Sequence, residues 1–216
     1  MALKQKPEVI NNSMISHEYR CIFIHLPRTG GTSIEKALCG KNWWDVDPST
    51  KHLIASQARE VYKDYWDAYF KFSIVREPCS RMLSCLRFPE YFSINYLSTS
   101  TYSDFLRGYM QRFGYPLTVE YDHRFHKPVQ SKRALPNAVY LNALDEELDY
   151  IGRFEKLDEE FSNIAKMLGA EDLTLEHFGA SPTKPTDNFT CPESLVLIKK
   201  LFQHDFEHFG YKLPDS

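Results

Sequence analysis

The stretch Cys21-Ile-Phe-Ile-His-Leu-Pro-Arg-Thr-Gly-Gly-Thr-Ser-Ile-Glu-Lys-Ala-Leu38 decides how the rest of the chain is read. An apolar run rich in β-branched and aromatic residues breaks at Pro27, turns through Gly30 and Gly31, and continues with helical spacing. Strand, glycine turn and helix, in that order, present backbone N–H groups to an anion. The two glycines leave the main chain open to close approach by a ligand. Thr32 and Glu35 have the spacing of a capping box, which sets the helix N-terminus beside the turn. Arg28 adds a fixed positive charge, and Thr29, Thr32 and Ser33 add hydroxyl groups. The stretch is expected to be a phosphate-binding loop.

A second stretch repeats the pattern. Phe70-Lys-Phe-Ser-Ile-Val75 alternates and predicts a strand, which ends at Arg76-Glu77-Pro78. A helix is predicted from Ser80 to Arg87 after this proline-marked turn. Between the two stretches, residues 53–66 carry apolar side chains at helical spacing. Further on, a helix is predicted over 101–113 and an irregular region over 114–137, with Pro116, Pro128 and Pro136. Val139 to Leu141 reads as a short strand and Tyr150 to Phe154 as a firmer one. A helix from Leu157 to Leu168 is ended by Gly169, and a last helix, capped by Thr190 and Glu193, runs to Phe206. Strands alternating with helices predict an α/β fold: a central parallel sheet of about four or five strands, flanked by helices. In such sheets ligands sit beyond the carboxyl ends of the strands. The exits at 26–33 and 75–81 would then share one edge.

Composition narrows the classes of function. The chain has 216 residues, 43% of them hydrophobic, enough for one domain with a sizeable core. Its net charge of −3 supplies no global basic field, so a nucleic acid partner is not expected. An anion site must be a local cluster. No apolar run has the length of a membrane span, and residues 1–19 lack the apolar centre of a signal peptide. A cytoplasmic location is expected. Residues 1–19 are read as a partly disordered extension, and residues 20–212 as a single domain. The five cysteines include no CxxC pair, so neither a disulfide framework nor a zinc site is expected.

The loop Pro27-Arg-Thr-Gly-Gly-Thr-Ser33 is not a nucleoside-triphosphatase P-loop, because no Lys follows its glycines. The second exit, Val75-Arg-Glu-Pro-Cys-Ser-Arg-Met-Leu-Ser84, sets Arg76 at a strand end, with Arg81 and Ser84 on the first turns of the next helix. An arginine fork with a hydroxyl suits a terminal phosphate. Standing alone, Arg76 and Ser84 would read as a surface ion-pair residue and a helix serine, and Arg81 equally as a structural partner. Two anion sites on one edge call for a ligand with anions at two ends.

These residues resemble the sulfotransferases that use 3′-phosphoadenosine 5′-phosphosulfate (PAPS). The family's 5′-phosphosulfate loop reads Pro-Lys-Thr/Ser-Gly-Gly/Thr-Thr, similar to Pro27–Thr32 except at Arg28. Its 3′-phosphate motif reads Val-Arg-x-Pro-x-x-Arg-x-x-Ser, as Val75–Ser84 does. Arg153-Phe-Glu155, His126-Lys-Pro-Val-Gln130 and Asp205-Phe-Glu-His-Phe-Gly-Tyr211 resemble later family segments, so the likeness spans residues 20–211. It lies closer to the carbohydrate, membrane-class branch.

The resemblance implies a P-loop-like sulfotransferase fold and sulfuryl transfer from PAPS to a hydroxyl acceptor, a saccharide or small polyol, leaving PAP and needing no metal. It implies that Arg28, Thr29, Gly30, Gly31, Thr32 and Ser33 hold the phosphosulfate, with Arg28 also stabilising the leaving phosphate. Arg76 and Ser84 would hold the 3′-phosphate, and Lys184 lies where the family closes over the nucleotide, although a solvated loop lysine fits as well. His52 lies where related enzymes carry a catalytic His, and an imidazole near its ordinary pKa suits a general base. His126 is the rival base and otherwise a residue of the acceptor side. Trp43-Trp44 would line the acceptor or adenine pocket. Two other readings stay open: a small ATP-dependent kinase with a degenerate P-loop, and a nucleotide-binding module without chemistry.

Overall fold

A computed structural model describes residues 14–41, 50–86, 119–122, 127–130, 135, 137–176 and 192–213. Its centre is a four-stranded sheet in the order β1-β2-β3-β6, built from β1 (Ile15–Ser16), β2 (Cys21–Ile24), β3 (Phe70–Val75) and β6 (Tyr150–Arg153). β2, β3 and β6 run parallel, with Ile24 opposite Ser73 and Val75 opposite Arg153. β1 joins antiparallel, pairing Ile15 with Ile22, so the sheet already begins within the stretch read as an N-terminal extension. β2 is buried along its whole length, as expected of a strand covered on both faces. The α/β architecture expected from the alternating pattern is present.

The helices follow their apolar stripes. α1 (Gly31–Cys39) buries Ile34 and Leu38. α4 (Pro78–Leu86) starts on its proline, whose missing N–H costs nothing in the first turn. α6 (Leu157–Met167) turns Leu157, Phe161 and Ile164 inward, and Gly169 follows it at φ 66°. α7 (Pro192–Phe209) kinks at Phe202 and runs three residues past the predicted end. Its Ile198, Leu201, Phe202 and Phe206 are all buried.

Several local expectations are corrected. The segment 53–66 forms two helices, α2 (Ala55–Val61) and α3 (Lys63–Trp66), because Tyr62 leaves helical geometry at φ −108°, ψ 28°. The strand predicted at Val139–Leu141 is instead the helical turn α5 (Tyr140–Ala143). The buried carboxylate of Asp205, on α7, accepts N–H bonds from Val139 at 2.6 Å and Leu141 at 3.0 Å, and this tertiary cap overrides local β propensity. Within the region read as irregular, β4 (Val119–Asp122) and β5 (Lys127–Gln130) form an antiparallel pair. The helix predicted over 101–113 and the cap at Thr190 lie outside the described residues.

Candidate active site

Because β2 and β3 are neighbours in parallel, their carboxyl ends open side by side, and β6 ends next to β3. The chain leaving β2 passes Arg28 at φ 68° and Gly30 at φ 83°, and Gly30 caps α1 in the left-handed region. An arginine in that region is a strained backbone position, and such strain gathers at functional sites. The predicted capping box is absent: no side chain caps α1, and Glu35 is engaged elsewhere. The glycines also have a reason of their own in the packing. A Cβ at Gly30 would stand 2.6 Å from Leu157 Cδ2, and one at Gly31 would overlap the His25 imidazole. Packing against α6 and His25, as well as the left-handed turn at Gly30, requires glycine here.

Hydrogen bonds join the two motifs. Arg28 Nε donates to Ser84 Oγ at 2.8 Å, and Arg76 Nη1 donates to the Arg28 carbonyl at 3.0 Å. Arg81 Nε donates to the Pro27 carbonyl at 3.1 Å. Arg76 also bonds Ser80 Oγ through Nε, and its guanidinium lies 4.2 Å from the centre of the Phe154 ring. Three guanidinium groups thus converge on one short edge of the sheet. The first turn of α1 carries no acidic residue, so its positive end stays undiluted, whereas the Glu77 carboxylate caps the start of α4.

The expected ligands divide by burial. Arg28, Gly30, Thr32, Arg76 and Ser84 are partly exposed. Thr29 is fully buried, and its hydroxyl donates to the Leu26 carbonyl at 2.7 Å. Ser33 is buried, and its N–H closes the first turn on the Gly30 carbonyl at 3.1 Å. Arg81 is only 2% exposed, and its guanidinium faces the Tyr140 ring at 5.4 Å. These contacts give it a structural role, bracing the β2 exit against α4 and α5. Lys184, His126 and Trp43-Trp44 lie outside the described residues.

His52 is buried beside the same edge. Its Nδ1 lies 2.9 Å from the His25 carbonyl, which can only accept, so Nδ1 carries the proton. With the proton on Nδ1, the neutral form of the ring has its lone pair on Nε2, the tautomer a general base requires. The His25 ring centre is 4.5 Å from that of His52. His25 Nδ1 pairs with Glu35, and Lys51 Nζ binds both oxygens of the same carboxylate at 2.7 and 2.6 Å. Burial pushes the Glu35 carboxyl up, but His25 and Lys51 outweigh it and hold Glu35 below its ordinary value. Burial holds His25 below its own ordinary value, against the pull of Glu35, so the ring is neutral and the carboxylate is paired with Lys51.

Other supports gave little sequence signal. Tyr140, fully buried, donates its hydroxyl to the Arg76 carbonyl at 2.6 Å. Glu77 accepts from the N–H groups of Cys79 and Ser80, and its own N–H donates to Glu155 at 2.7 Å. Glu155 also accepts from the Tyr211 hydroxyl at 3.1 Å, while Arg153 reaches the Phe209 carbonyl. These contacts give Arg153 and Glu155 a part in tying the C-terminal segment to the site edge. One signal for the buried network was available: Glu35 falls between Ile34 and Leu38 on the apolar face of α1, where an acid needs a partner.

Comparison with known proteins agrees with this architecture. The model of the family described as the sulfotransferase family matches residues 11–212. No curated protein and no solved structure gives a significant match. A match of that extent settles the family: the chain belongs to the sulfotransferases.

Proposed function

We propose that this sulfotransferase takes its sulfuryl group from PAPS and delivers it to a hydroxyl of a saccharide or other small polyol. The observation that carries this reading is the bonding of Arg28 to Ser84 and of Arg76 to the Arg28 carbonyl. It makes the two anion motifs a single surface. The donor set fits the nucleotide: backbone N–H groups at the start of α1, whose first turn carries no acidic residue, a chain of guanidiniums, and the Ser84 hydroxyl. The loop from Arg28 to Ser33 would hold the 5′ end, and Arg76 and Ser84 the 3′-phosphate. Thr29 would contribute through its backbone, since its hydroxyl is engaged by Leu26, and Ser33 would shape the loop, since its N–H closes on the Gly30 carbonyl and its side chain is buried. Lys184 and His126 are proposed on resemblance alone, as a nucleotide contact and an acceptor-side residue.

When bound, PAPS supplies a sulfuryl group whose bond to the 5′-phosphate breaks as the acceptor oxygen bonds to sulfur. His52 Nε2 takes the proton of the acceptor hydroxyl, and its Nδ1–H stays on the His25 carbonyl throughout. Arg28 balances the negative charge that gathers on the departing phosphate oxygen, a role for a preorganised cation. Arg76, stacked on Phe154, has its position fixed before any ligand arrives.

The test is turnover: PAP released from PAPS in the presence of a panel of saccharides and polyols. His52→Ala should lower kcat by about 100-fold or more, the scale of general-base catalysis, while PAP affinity stays near that of the unaltered protein. Full turnover in His52→Ala would move the proton transfer to His126 or to the substrate. Binding of PAP without turnover on any acceptor would favour a nucleotide-binding module.

A further inference from the structure

The network behind His52 contains two charges that the transfer reaction does not use. Glu35 is 0% exposed and Lys51 is 1% exposed. A buried ion pair adds little net stability over apolar residues of similar volume, so its presence in a core calls for another reason. Its connections supply one. Glu35 stands on α1, the helix that begins at the phosphate-loop glycines. Lys51 immediately precedes His52. His25, at the β2 exit, sets its Nδ1 against the Glu35 carboxylate, its carbonyl against His52 and the flat of its ring against Gly31. One carboxylate therefore ties together the helix that begins at the phosphate loop, the strand end and the segment carrying His52.

We propose that Glu35 and Lys51 are positioning residues that hold His52 Nε2 in register with the phosphate loop. The inference rests on the reading of His52 as the base. The carboxylate fixes the His25 ring and carbonyl on one side and the backbone before His52 on the other. The His52 ring is thereby held in one tautomer and one place relative to Gly31. Loss of the pair leaves the guanidinium part of the anion edge in place, because Arg28, Arg76 and Ser84 are bonded to one another. Binding and turnover should therefore separate.

The experiment uses the double variant Glu35→Gln with Lys51→Met, which keeps a hydrogen-bond acceptor for His25 and strands no buried charge. Expected are a loss of about 100-fold in kcat, the scale of a misplaced reacting group, with KM for PAPS and Kd for PAP within about twofold. Nitrogen-15 spectra of the histidine rings should show a single Nδ1-protonated His52 in the unaltered protein and a tautomer mixture in the variant. A folded double variant with full kcat and an unchanged His52 tautomer overturns the proposal. Should the double variant not fold, Glu35→Asp keeps both charges and withdraws the carboxylate by one methylene. It should lose about tenfold in kcat with PAP affinity intact, and full kcat there also overturns the proposal. His52→Ala, run in parallel, separates the two claims. Full turnover in that variant removes the base assignment. Its inactivity beside a fully active double variant removes the positioning role alone.

Discussion

Arg28 occupies the loop position where the resembled family carries lysine, and it does so at φ 68°, with its Nε on Ser84. A lysine would keep the charge but could not present a planar fork to two partners. Arg28→Lys should weaken PAP binding about tenfold, the worth of one charge-assisted hydrogen bond, as read by calorimetry. Unchanged affinity would mean that the Ser84 contact is incidental. Arg81 is the opposite case. Buried between the Pro27 carbonyl and the Tyr140 ring, with Asp205 near enough for its carboxylate to feel the charge, it should matter to folding first. Arg81→Met strands a buried carbonyl and weakens the field on Asp205, for a cost of about 3 kcal/mol in urea unfolding. A loss of PAP binding at full stability would return Arg81 to the ligand set.

The elements that read well in the sequence are those whose pattern is local. β2, β3, β6, α4 and α6 announce themselves through alternation, helical spacing, Pro78 and Gly169. Those that read badly are set by distant partners. Val139 belongs to a helical turn because Asp205 caps it, and Glu35 leaves its capping box because His25 and Lys51 claim it. The same holds for the candidate site. Arg28, Arg76 and Ser84 are legible in two motifs, but their mutual bonds and the network behind His52 depend on the pairing of β2 with β3. That network also sets a pH dependence. His25 is held neutral, below its unfolded value of about 6.5, and Glu35 is held ionised, below its unfolded value of about 4.3. In both cases the unfolded chain takes up the proton first as pH falls. Stability should therefore decline from about pH 6.5 downward and more steeply below about pH 4.3, in urea titrations across that range. A flat profile between pH 7 and 5 would show that His25 is already charged in the fold.

Taken as a whole, the molecule is a sulfotransferase whose parallel strands β2, β3 and β6 deliver three exits to one edge. Arg28, Arg76 and Glu155 stand on those exits, and hydrogen bonds run from each to the next through the Arg28 carbonyl and the Glu77 N–H. Among the described residues no helix is long and apolar enough to cross a membrane. The central claim is that this edge is a two-ended clamp for a nucleotide with anions at both its 5′ and 3′ ends. The most direct measurement is calorimetric titration with PAP, AMP and ATP, with and without magnesium, on the unaltered chain and on Arg76→Ala. The clamp predicts magnesium-independent PAP binding at least about tenfold tighter than AMP, since a paired phosphate contributes about 1.5 kcal/mol or more, and loss of that preference in Arg76→Ala. Magnesium-dependent binding of ATP with no response to PAP would contradict it.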